Sequence, residues 1–331
     1  MSITRRQALT ALLGTAGLAT LSACSGPAAQ QARSASATSA AGPEPVRLGA
    51  FNTRNTLTMA IDSGLIQAAL TKAGGSATVS PPFPAFAPAA EAMAAGQIDV
   101  TTGSTTALVA ALQGNPDLAA FAVEVADDDT HGIVATAASG ITEASGLSGH
   151  RVAVNKGGTG DYLLRMAIVK FGLRNVTPVY LSPPDAASAF ASNAVDAWAT
   201  WDQYLASAQL SGGTVVALAK EVQARNHTVH ITTHAFADEQ PQLLMACYTA
   251  LSEQAAKVVA DPELLKQAYV ASGAPPKVAE LVAAKKPPTI RPADALFQAE
   301  LEAVAKFYHQ QGLTPTLSPV GLAAIDVARM R

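Results

Sequence analysis

The sequence predicts an α/β protein with two similar α/β units followed by a helical C-terminal region. Over residues 46–125, segments with strand composition alternate with segments of helical periodicity. The alternation restarts after Gly140 and continues to residue 232, and long helical stretches dominate residues 241–311. Because alternating strands and helices are typical of sheets covered by helices, we expect a largely parallel sheet in each unit.

The first unit is predicted to contain four strands and three helices. The strands are residues 46–51, 77–79, 98–103 and 118–125, and the helices are residues 57–70, 87–95 and 105–113. Asn52 follows the first strand, where an Asn side chain favours the start of a helix. Gly96 ends the second helix, and Gly103 forms a turn after the third strand.

The second unit repeats this pattern and leads into the helical region. Its strands are residues 151–154, 176–181, 195–201, 214–217 and 228–232, and its helices are residues 161–171 and 185–192. A Gly-rich loop, residues 155–160, joins the first of these strands to the first helix. The C-terminal helices are residues 241–259, 263–272, 276–284 and 292–311.

The first 24 residues have the pattern of a lipoprotein signal peptide. Arg5 and Arg6 precede an uncharged apolar run, residues 8–21, which suits a signal-peptide core better than a permanent span. The run closes on Leu-Ser-Ala-Cys, so we expect Cys24 to be lipidated and to become the N-terminus. The paired arginines are compatible with a twin-arginine signal or with a Sec signal.

Residues 25–45 are rich in Ala, Ser, Gln and Pro and lack apolar periodicity, which predicts a flexible tether. A lipid on Cys24 would hold the protein at a membrane without spanning it. We therefore expect an exported protein at the outer face of the cytoplasmic membrane, in the periplasm or at the cell surface.

The composition argues against several classes of function. A formal net charge of −3 provides no basic surface for nucleic acid. Cys247 lies in an apolar helical segment typical of a buried, inert thiol, and there is no Gly-x-Ser-x-Gly elbow, so we expect neither catalysis nor a cofactor. On a strand, His230 and His234 would point the same way and His227 the other way, which disfavours a metal site.

Two Gly-bearing turns between a strand and a helix are the candidate ligand-binding segments. The first N–H groups of a helix lack partners within it and the dipole there is positive, so two such ends facing each other can hold an anion. The candidates are Gly103, Ser104, Thr105 and Thr106 in the first unit, and Gly157, Gly158, Thr159 and Gly160 in the second. The alternative is that Ser and Thr only cap the helices and Gly only makes the turns.

Trp198 and Trp201 stand out in a chain with only two Trp residues. They end a predicted strand, beside Asp196 and Asp202. Indole rings there can wall a pocket by packing on an apolar part of a ligand. The alternative is packing in the core or at a hinge.

Several motifs carry a resemblance to a known family. They are Leu-Ser-Gly-His-Arg-Val-Ala-Val-Asn-Lys-Gly (residues 147–157), Tyr-Leu-Leu-Arg (162–165), Tyr-Leu-Ser-Pro-Pro-Asp-Ala (180–186) and Val-Asp-Ala-Trp-Ala-Thr-Trp-Asp (195–202). In this order and spacing they resemble the aliphatic sulfonate, nitrate and taurine binding proteins of ABC transporters. The resemblance covers most of residues 46–317 and is strongest over residues 147–202.

The resemblance implies a periplasmic-binding-protein type II fold, with two α/β lobes joined by two hinge strands. Residues 46–135 and 236–331, including the helical tail, would form lobe 1, and residues 136–235 would form lobe 2. A monomer of this kind would deliver a small organic anion, first of all an aliphatic sulfonate, to an ABC permease and ATPase. The two turns would contact the anionic head, with Trp198 and Trp201 near the hinge side of the cleft.

Two positions depart from the family pattern. Asp161 stands where relatives often carry His, and its carboxylate would suit an amino group or simply stabilise the first helical turn. Asn52 and Arg54 lie in an unusual turn before the first helix, where Arg54 can pair with an anion or be exposed.

Two other functions remain open on the sequence alone. The superfamily also resembles the thiamine-pyrimidine synthases, so binding or synthesis of a pyrimidine precursor is one alternative. The other is a receptor that senses its ligand without transporting it.

Overall fold

The computed structural model describes residues 44–126 and 129–330. The predicted signal peptide, the lipidation site Cys24 and residues 25–43 of the predicted tether lie outside these ranges. Within them, no helix has both the length and the apolar character needed to cross a membrane.

The described strands form two large sheets and one small one. They are β1 Val46–Leu48, β2 Ala77–Val79, β3 Thr101–Ser104, β4 Leu118–Val125, β5 His131–Ala135, β6 Arg151–Val154, β7 Thr177–Tyr180, β8 Ala197–Trp201, β9 Thr214–Leu218, β10 Thr228–Thr233 and β11 Thr289–Pro292. The first large sheet has the order β11-β4-β10-β3, and the second has the order β7-β6-β8-β5-β9. Strands β1 and β2 pair in parallel beside the first sheet, to which Leu48 is joined by a bridge to Val100.

Helices cover both large sheets, which confirms the α/β class. They are α1 Thr56–Asp62, α2 Leu65–Lys72, α3 Phe86–Ala94, α4 Thr105–Ala111, α5 Thr159–Phe171, α6 Pro183–Ala191, α7 Asp202–Leu210, α8 Ala219–Val222, α9 His234–Glu239, α10 Pro241–Ala260, α11 Glu263–Ala271, α12 Pro276–Ala283 and α13 Ala295–Gln310. Local chemistry sets several ends: Asn55 caps α1, Asp294 caps α13, and Gly172 ends α5 with a φ of 62°.

Both large sheets are mixed, whereas the sequence predicted largely parallel sheets. Strand β10 pairs antiparallel with β3 and β4, and β5 pairs antiparallel with β8 and β9. Strand β6 pairs in parallel with β7 and β8. Strand β11 also pairs antiparallel with β4. Strands β5 and β10 are each the first strand after the chain has passed from one sheet to the other, so no crossover helix on their own sheet dictates a parallel direction.

The chain changes sheets in two short segments, residues 126–130 and 223–227. Strand β5 therefore belongs to the second sheet and β10 to the first. The lobe boundaries expected after residues 135 and 235 follow these strands, whereas the sheet changes precede them. The sequence analysis predicted β10 but not β5, and strand composition carries no signal for the sheet that a strand joins.

Most of the C-terminal region packs on the first sheet and its helices. Helix α10 contacts α1, α2 and β11, and α13 contacts α4. Helix α12 instead contacts α7, which follows β8 of the second sheet. Ala206 of α7 is buried in one apolar cluster with Val278 and Val282 of α12. The helical region thus touches elements of both sheets, close to the two crossing segments.

Candidate functional site

A partly enclosed cavity lies where the chain passes between the two large sheets. Its volume is about 80 Å³, which leaves room for several water molecules. The walls come from the start of α1, both crossing segments, the start of α7 and helices α10 to α12. Polar lining residues are Arg54, Asn55, Glu124, His131, Asp202, Asn226 and His227, and apolar or aromatic ones are Met59, Val258, Leu265, Tyr269 and Val282.

Arg54 brings a cation to the cavity from the turn before α1. Asn55 fixes this turn, because its side chain accepts a hydrogen bond from the Thr58 N–H at 3.0 Å. One terminal nitrogen of Arg54, Nη1, pairs with the exposed Asp62. The Nε atom is buried, and across the described residues it has no hydrogen-bond partner. An unpaired buried donor is costly, and an anion in the cavity would remove that cost.

Glu124, near the end of β4, carries an ionised carboxylate in the cavity wall. Its Oε1 accepts a hydrogen bond from the Thr56 N–H at 2.9 Å and lies 3.0 Å from Nε2 of His230. Burial acts to raise the pKa of Glu124, but His230 and the Thr56 N–H outweigh burial and lower the pKa below its ordinary value. His230 is held from its other side by Thr102, whose Oγ1 lies 3.2 Å from Nδ1.

Asp202, the first residue of α7, is the second carboxylate of the cavity. Its φ is 42°, a left-handed value that Asp adopts more readily than most residues. The backbone N–H donates to the Thr130 carbonyl at 2.8 Å. Its side chain is half-buried and lines the cavity. Burial first, and then the charge of Glu124, raise the pKa of Asp202 to about 7.

Two neighbouring groups are neutral at neutral pH. Burial first, and then His227, lower the pKa of His131 to about 4, so its imidazole is uncharged. Burial raises the pKa of Tyr269 well above its ordinary value, and the charges of Asp202 and Glu124 add to this effect while Arg54 opposes it. Arg54 and Asp202 therefore both act on the same phenol, which stays protonated.

The two predicted turns meet at Asn226, a residue that the sequence analysis did not single out. Asn226 is 7% exposed. Its Oδ1 accepts a hydrogen bond from the Thr106 N–H at 3.1 Å, and its Nδ2 donates to Thr159 Oγ1 at 2.8 Å. The starts of α4 and α5 thus face each other as expected, but a protein side chain bridges them. Because Asn226 also lines the cavity, this bridge forms one of its walls.

The remaining groups of the turn before α5 are used within the protein. The Gly160 N–H donates to Asn155 Oδ1 at 2.8 Å, and the Gly157 N–H donates to Asp161 Oδ2 at 3.1 Å. The Gly157 carbonyl accepts a hydrogen bond from the Tyr308 hydroxyl at 3.2 Å. Gly158 precedes α5 without a side-chain cap. The turn is therefore a tightly packed support beside the cavity.

Asp161 and the turn before α4 are likewise engaged locally. Asp161 is fully buried and pairs with Arg165 one helical turn later, at 3.2 Å. Ser104 caps α4 by accepting from the Ala107 N–H, and the Thr105 N–H donates to the His227 carbonyl at 3.0 Å. A Cβ on Gly103 would lie 2.8 Å from Ile231, so this glycine permits close packing.

The two Trp side chains pack against protein. Trp198 is 3% exposed and contacts Phe190 and Tyr204 in the core of the second sheet. Trp201 stacks edge-on against Tyr204. Asn52 is exposed and lines a separate shallow groove beside Tyr204. Of the thirteen predicted ligand-binding residues, Arg54 alone is among the described residues that line the cavity.

The lining residues that the sequence analysis did not predict to bind the ligand include His131, Asp202, Asn226 and Tyr269. Asp202 had a usable signal, because it directly follows Trp201 in a motif of the resembling family. The other three lie in a strand, a crossing segment and a helix whose local patterns point to no site. Among residues 44–126 and 129–330, no group of three or more His, Cys, Asp or Glu side chains is placed to hold a metal ion.

Comparison with known families and proteins identifies relatives. A family model described as NMT1/THI5 like matches residues 59–264, more than half of the chain. A protein of Escherichia coli (strain K12) named putative aliphatic sulfonates-binding protein is 31% identical over 243 residues, which cover 70% of this chain and 74% of that protein. A protein of the same name from Bacillus subtilis (strain 168) is 29% identical over 173 residues, covering 52% of each chain.

Solved structures show the same fold. The alkanesulfonate-binding protein SsuA from Xanthomonas axonopodis pv. citri, bound to MOPS, matches with a TM-score of 0.78 and 25% identity over 86% of this chain and 99% of that one. The periplasmic aliphatic sulphonate binding protein SsuA from Escherichia coli matches with a TM-score of 0.75 and 25% identity, over 86% and 92% of the two chains. These matches confirm the periplasmic-binding-protein fold and the resemblance to sulfonate-binding proteins.

Proposed function

The chain belongs to the NMT1/THI5-like family, and from this membership we propose that it is an exported solute-binding protein for an aliphatic sulfonate. The observation that carries the proposal is its 31% identity, over 74% of the relative's length, to a protein named for sulfonate binding. The ligand would be passed to the permease and ATPase of an ABC importer. Lipidation of Cys24 would keep the protein beside that importer.

The cavity offers the chemistry that a small alkanesulfonate needs. A sulfonate group is a tetrahedral anion whose oxygens accept hydrogen bonds, and a guanidinium is a favoured donor to such groups. Arg54 supplies a buried Nε–H that has no hydrogen-bond partner among residues 44–126 and 129–330. Met59, Val258 and Leu265 provide apolar wall for the alkyl chain. We propose Arg54 as the direct contact of the sulfonate.

The predicted turns would not contact the ligand directly. Gly103 to Thr106 and Gly157 to Gly160 hold Asn226 between them, and Asn226 lines the cavity. Trp198 and Trp201 would support α7 through their contacts with Tyr204. In this proposal the two turns hold Asn226 in place as part of the cavity wall. A sulfonate in the cavity would then be bound by residues from both large sheets.

Lysines at the cavity mouth favour the approach of an anion. Lys285 and Lys286 both line the cavity and both are exposed, with Lys285 paired to Asp129 at 2.9 Å. Exposed positive charge raises the local concentration of anions and speeds their association, an effect that added salt screens. The exposed lysines would affect the rate of ligand capture, whereas the buried Nε–H of Arg54 would affect the affinity.

Calorimetric titration of the full chain, purified in a mild detergent, tests the proposal. The ligands are short alkanesulfonates, nitrate, a carboxylate of the same length and a neutral pyrimidine. We expect a sulfonate to bind with a Kd of about 1 μM or tighter, which corresponds to about −8 kcal/mol. Arg54→Ala should weaken binding by about a hundredfold, since it removes a charge-assisted hydrogen bond in a desolvated site.

The matched control is Arg174→Ala, because Arg174 is exposed and does not line the cavity. It should bind the sulfonate as the unchanged chain does. Tight binding of the pyrimidine with no binding of any sulfonate would contradict the proposal and favour a pyrimidine-related role. Equal loss of affinity in both Arg variants would contradict the assignment of Arg54.

A further inference from the structure

We propose that Asn226 is a positioning residue that sets how long the ligand stays bound, through the hydrogen bond of its side chain to Thr159. This bond would hold when the two large sheets are together and break when they separate. The inference rests on the proposed function, because it assigns how the same site retains its ligand. It predicts that the Thr159 hydroxyl, which belongs to no described residue of the cavity wall, controls ligand release.

The first step is that the C-terminal end of the crossing segment 223–227 is fixed to the first sheet. The His227 N–H donates to Thr105 Oγ1 at 3.2 Å, and the His227 carbonyl accepts from the Thr105 N–H at 3.0 Å. Nε2 of His227 lies 3.2 Å from Oε2 of Glu300 in α13, a helix that packs on α4. The adjacent Asn226 would therefore stay with the first sheet if the sheets moved apart.

The second step is that the N-terminal end of this segment is fixed to the second sheet. The Ala224 N–H donates to the carbonyl of Ala219, the first residue of α8, at 3.0 Å. Helix α8 directly follows β9 of the second sheet. Hinges absorb a rotation in a few residues. In this segment, a rotation of one sheet relative to the other would be absorbed between Ala224 and Asn226.

The third step is that the side chain of Asn226 spans this rotation. Its Oδ1 accepts from the Thr106 N–H at 3.1 Å. Because a backbone N–H can only donate, the amide oxygen faces α4 and the Nδ2 group faces the other way. There it donates to Thr159 Oγ1 at 2.8 Å. Thr159 is the first residue of α5, which follows β6 of the second sheet, so the bond joins helices of different sheets.

Burial makes this bond selective for the arrangement in which the sheets are together. Asn226 is 7% exposed and Thr159 is 8% exposed. With the sheets together, an Nδ2–H group that lost Thr159 would be a buried donor without a partner, which is costly. With the sheets apart, water would reach the amide and remove that cost. Loss of the Thr159 hydroxyl therefore favours separation of the sheets, and a ligand held between them leaves sooner.

Stopped-flow measurement of ligand release tests the inference on the full chain. The ligand is propane-1-sulfonate, and tryptophan fluorescence reports its binding, since Trp201 directly precedes the lining residue Asp202. The variant is Thr159→Val, which keeps the shape of the side chain and removes the hydroxyl. We expect dissociation to be about tenfold faster, the effect of leaving one buried donor unpaired. The association rate should stay the same, because the ligand enters while the sheets are apart.

The matched variants separate this role from a structural one. Thr159→Ser keeps the hydroxyl and should restore the dissociation rate of the unchanged chain. Thr177→Val is the control, because Thr177 is exposed on the edge strand β7. It should release the ligand as the unchanged chain does. A Thr159 side chain that only supported the fold would lower the melting temperature in Thr159→Val and leave the dissociation rate unchanged.

The outcomes separate this inference from the proposed function. Equal dissociation rates in Thr159→Val and the unchanged chain overturn the inference and leave sulfonate capture intact. Fast release that persists in Thr159→Ser also overturns it. Failure of every sulfonate to bind the unchanged chain overturns the proposed function, and the inference with it. If a melting curve shows that Thr159→Val does not fold, Thr159→Ala removes the same hydroxyl from a smaller side chain.

A second measurement needs no variant of Thr159. In the unchanged chain labelled with ¹⁵N, the side-chain amide of Asn226 is assigned by its loss in Asn226→Ala. Its hydrogen exchange with solvent should slow when propane-1-sulfonate binds, because the ligand favours the arrangement in which the amide is buried. Exchange that is the same with and without ligand would overturn the inference.

Discussion

Asp202 and Glu124 share one cavity wall but bind protons with different strength. Glu124 has His230 at 3.0 Å and the Thr56 N–H at 2.9 Å, and these neighbours outweigh its burial. Asp202 is half-buried near Glu124, and burial first and then the charge of Glu124 raise its pKa to about 7. Position relative to a donor, more than residue type, decides which carboxylate stays ionised.

This difference predicts how stability changes with pH. The pKa of Asp202 in the folded chain is about 7, against an ordinary value of 3.8. Between these values the folded state binds more protons than the unfolded state, so this residue lowers the free energy of unfolding as pH rises through that window. Asp202→Asn removes the effect. The difference in melting temperature, variant minus unchanged chain, should therefore increase between about pH 5 and about pH 8.

The measurement is thermal unfolding of both chains, without ligand, at several pH values. Other titrating groups are common to both chains, so the difference between the two curves reports Asp202. Among its neighbours, His131 has a pKa of about 4 and Tyr269 a pKa well above its ordinary value, so neither changes charge near pH 7. Curves that stay parallel across the whole range would contradict the assigned protonation of Asp202.

At the scale of elements, the start of α5 shows how a Gly-rich turn can serve packing. A Cβ on Gly160 would lie 2.3 Å from the Ala199 carbonyl oxygen and 2.9 Å from Asn155 Oδ1. The first of these atoms belongs to the backbone of β8 and cannot move without disturbing the second sheet. The glycine lets the helix start approach the strand closely.

Gly160→Ala should therefore destabilise the chain by about 3 kcal/mol, the upper range for a forced overlap in a packed interior. Gly114→Ala is the matched control, because the nearest atom to its new Cβ is Ala111 O at 3.9 Å. The control should stay close to the unchanged chain in chemical denaturation. Similar midpoints for both variants would show that the turn is loose enough to admit a side chain.

The same element shows what could be predicted from the sequence. The Gly-rich turn and the following helix were predicted at residues 155–171, and the structure has α5 at Thr159–Phe171. The expectation that the starts of α4 and α5 face each other also agrees with the structure. The bridge that Asn226 forms between them could not be predicted from the local sequence of either helix, because Asn226 lies in a crossing segment far along the chain from both.

At the scale of the whole molecule, the cavity is assembled from segments that are remote in sequence. Arg54, Glu124, Asp202 and Tyr269 lie on four different elements or turns. The sequence analysis predicted β4, the helix that carries Tyr269 and the turn that carries Arg54, but it predicted no helix at Asp202–Leu210. That these elements meet depends on where the chain changes sheets. The sequence of residues 126–130 and 223–227 has no periodic pattern from which a change of sheet could be predicted. Arg54 was singled out because its turn before the first helix departs from the pattern of the resembling family.

One side of the cavity is closed by helices that associate with different sheets. Helix α12 packs on α7 through Ala206 and Val278, and both helices also supply cavity wall. In the proposed function, a ligand that contacts Arg54 on one side and α7 on the other would stabilise this arrangement over one in which the helices separate. Differential contact of this kind is what couples ligand capture to a closed state in a two-state protein.

The most direct measurement is a crystal structure of the chain grown with 2-bromoethanesulfonate, with the bromine located by its anomalous signal. We predict the sulfonate in the cavity, with an oxygen about 3 Å from Arg54 Nε, the usual length of such a hydrogen bond. The bromine should lie among Met59, Val258 and Leu265. A sulfonate bound instead at Gly103 to Thr106 and Gly157 to Gly160, with Asn226 displaced and Arg54 untouched, would contradict the assignment of this cavity as the site of capture.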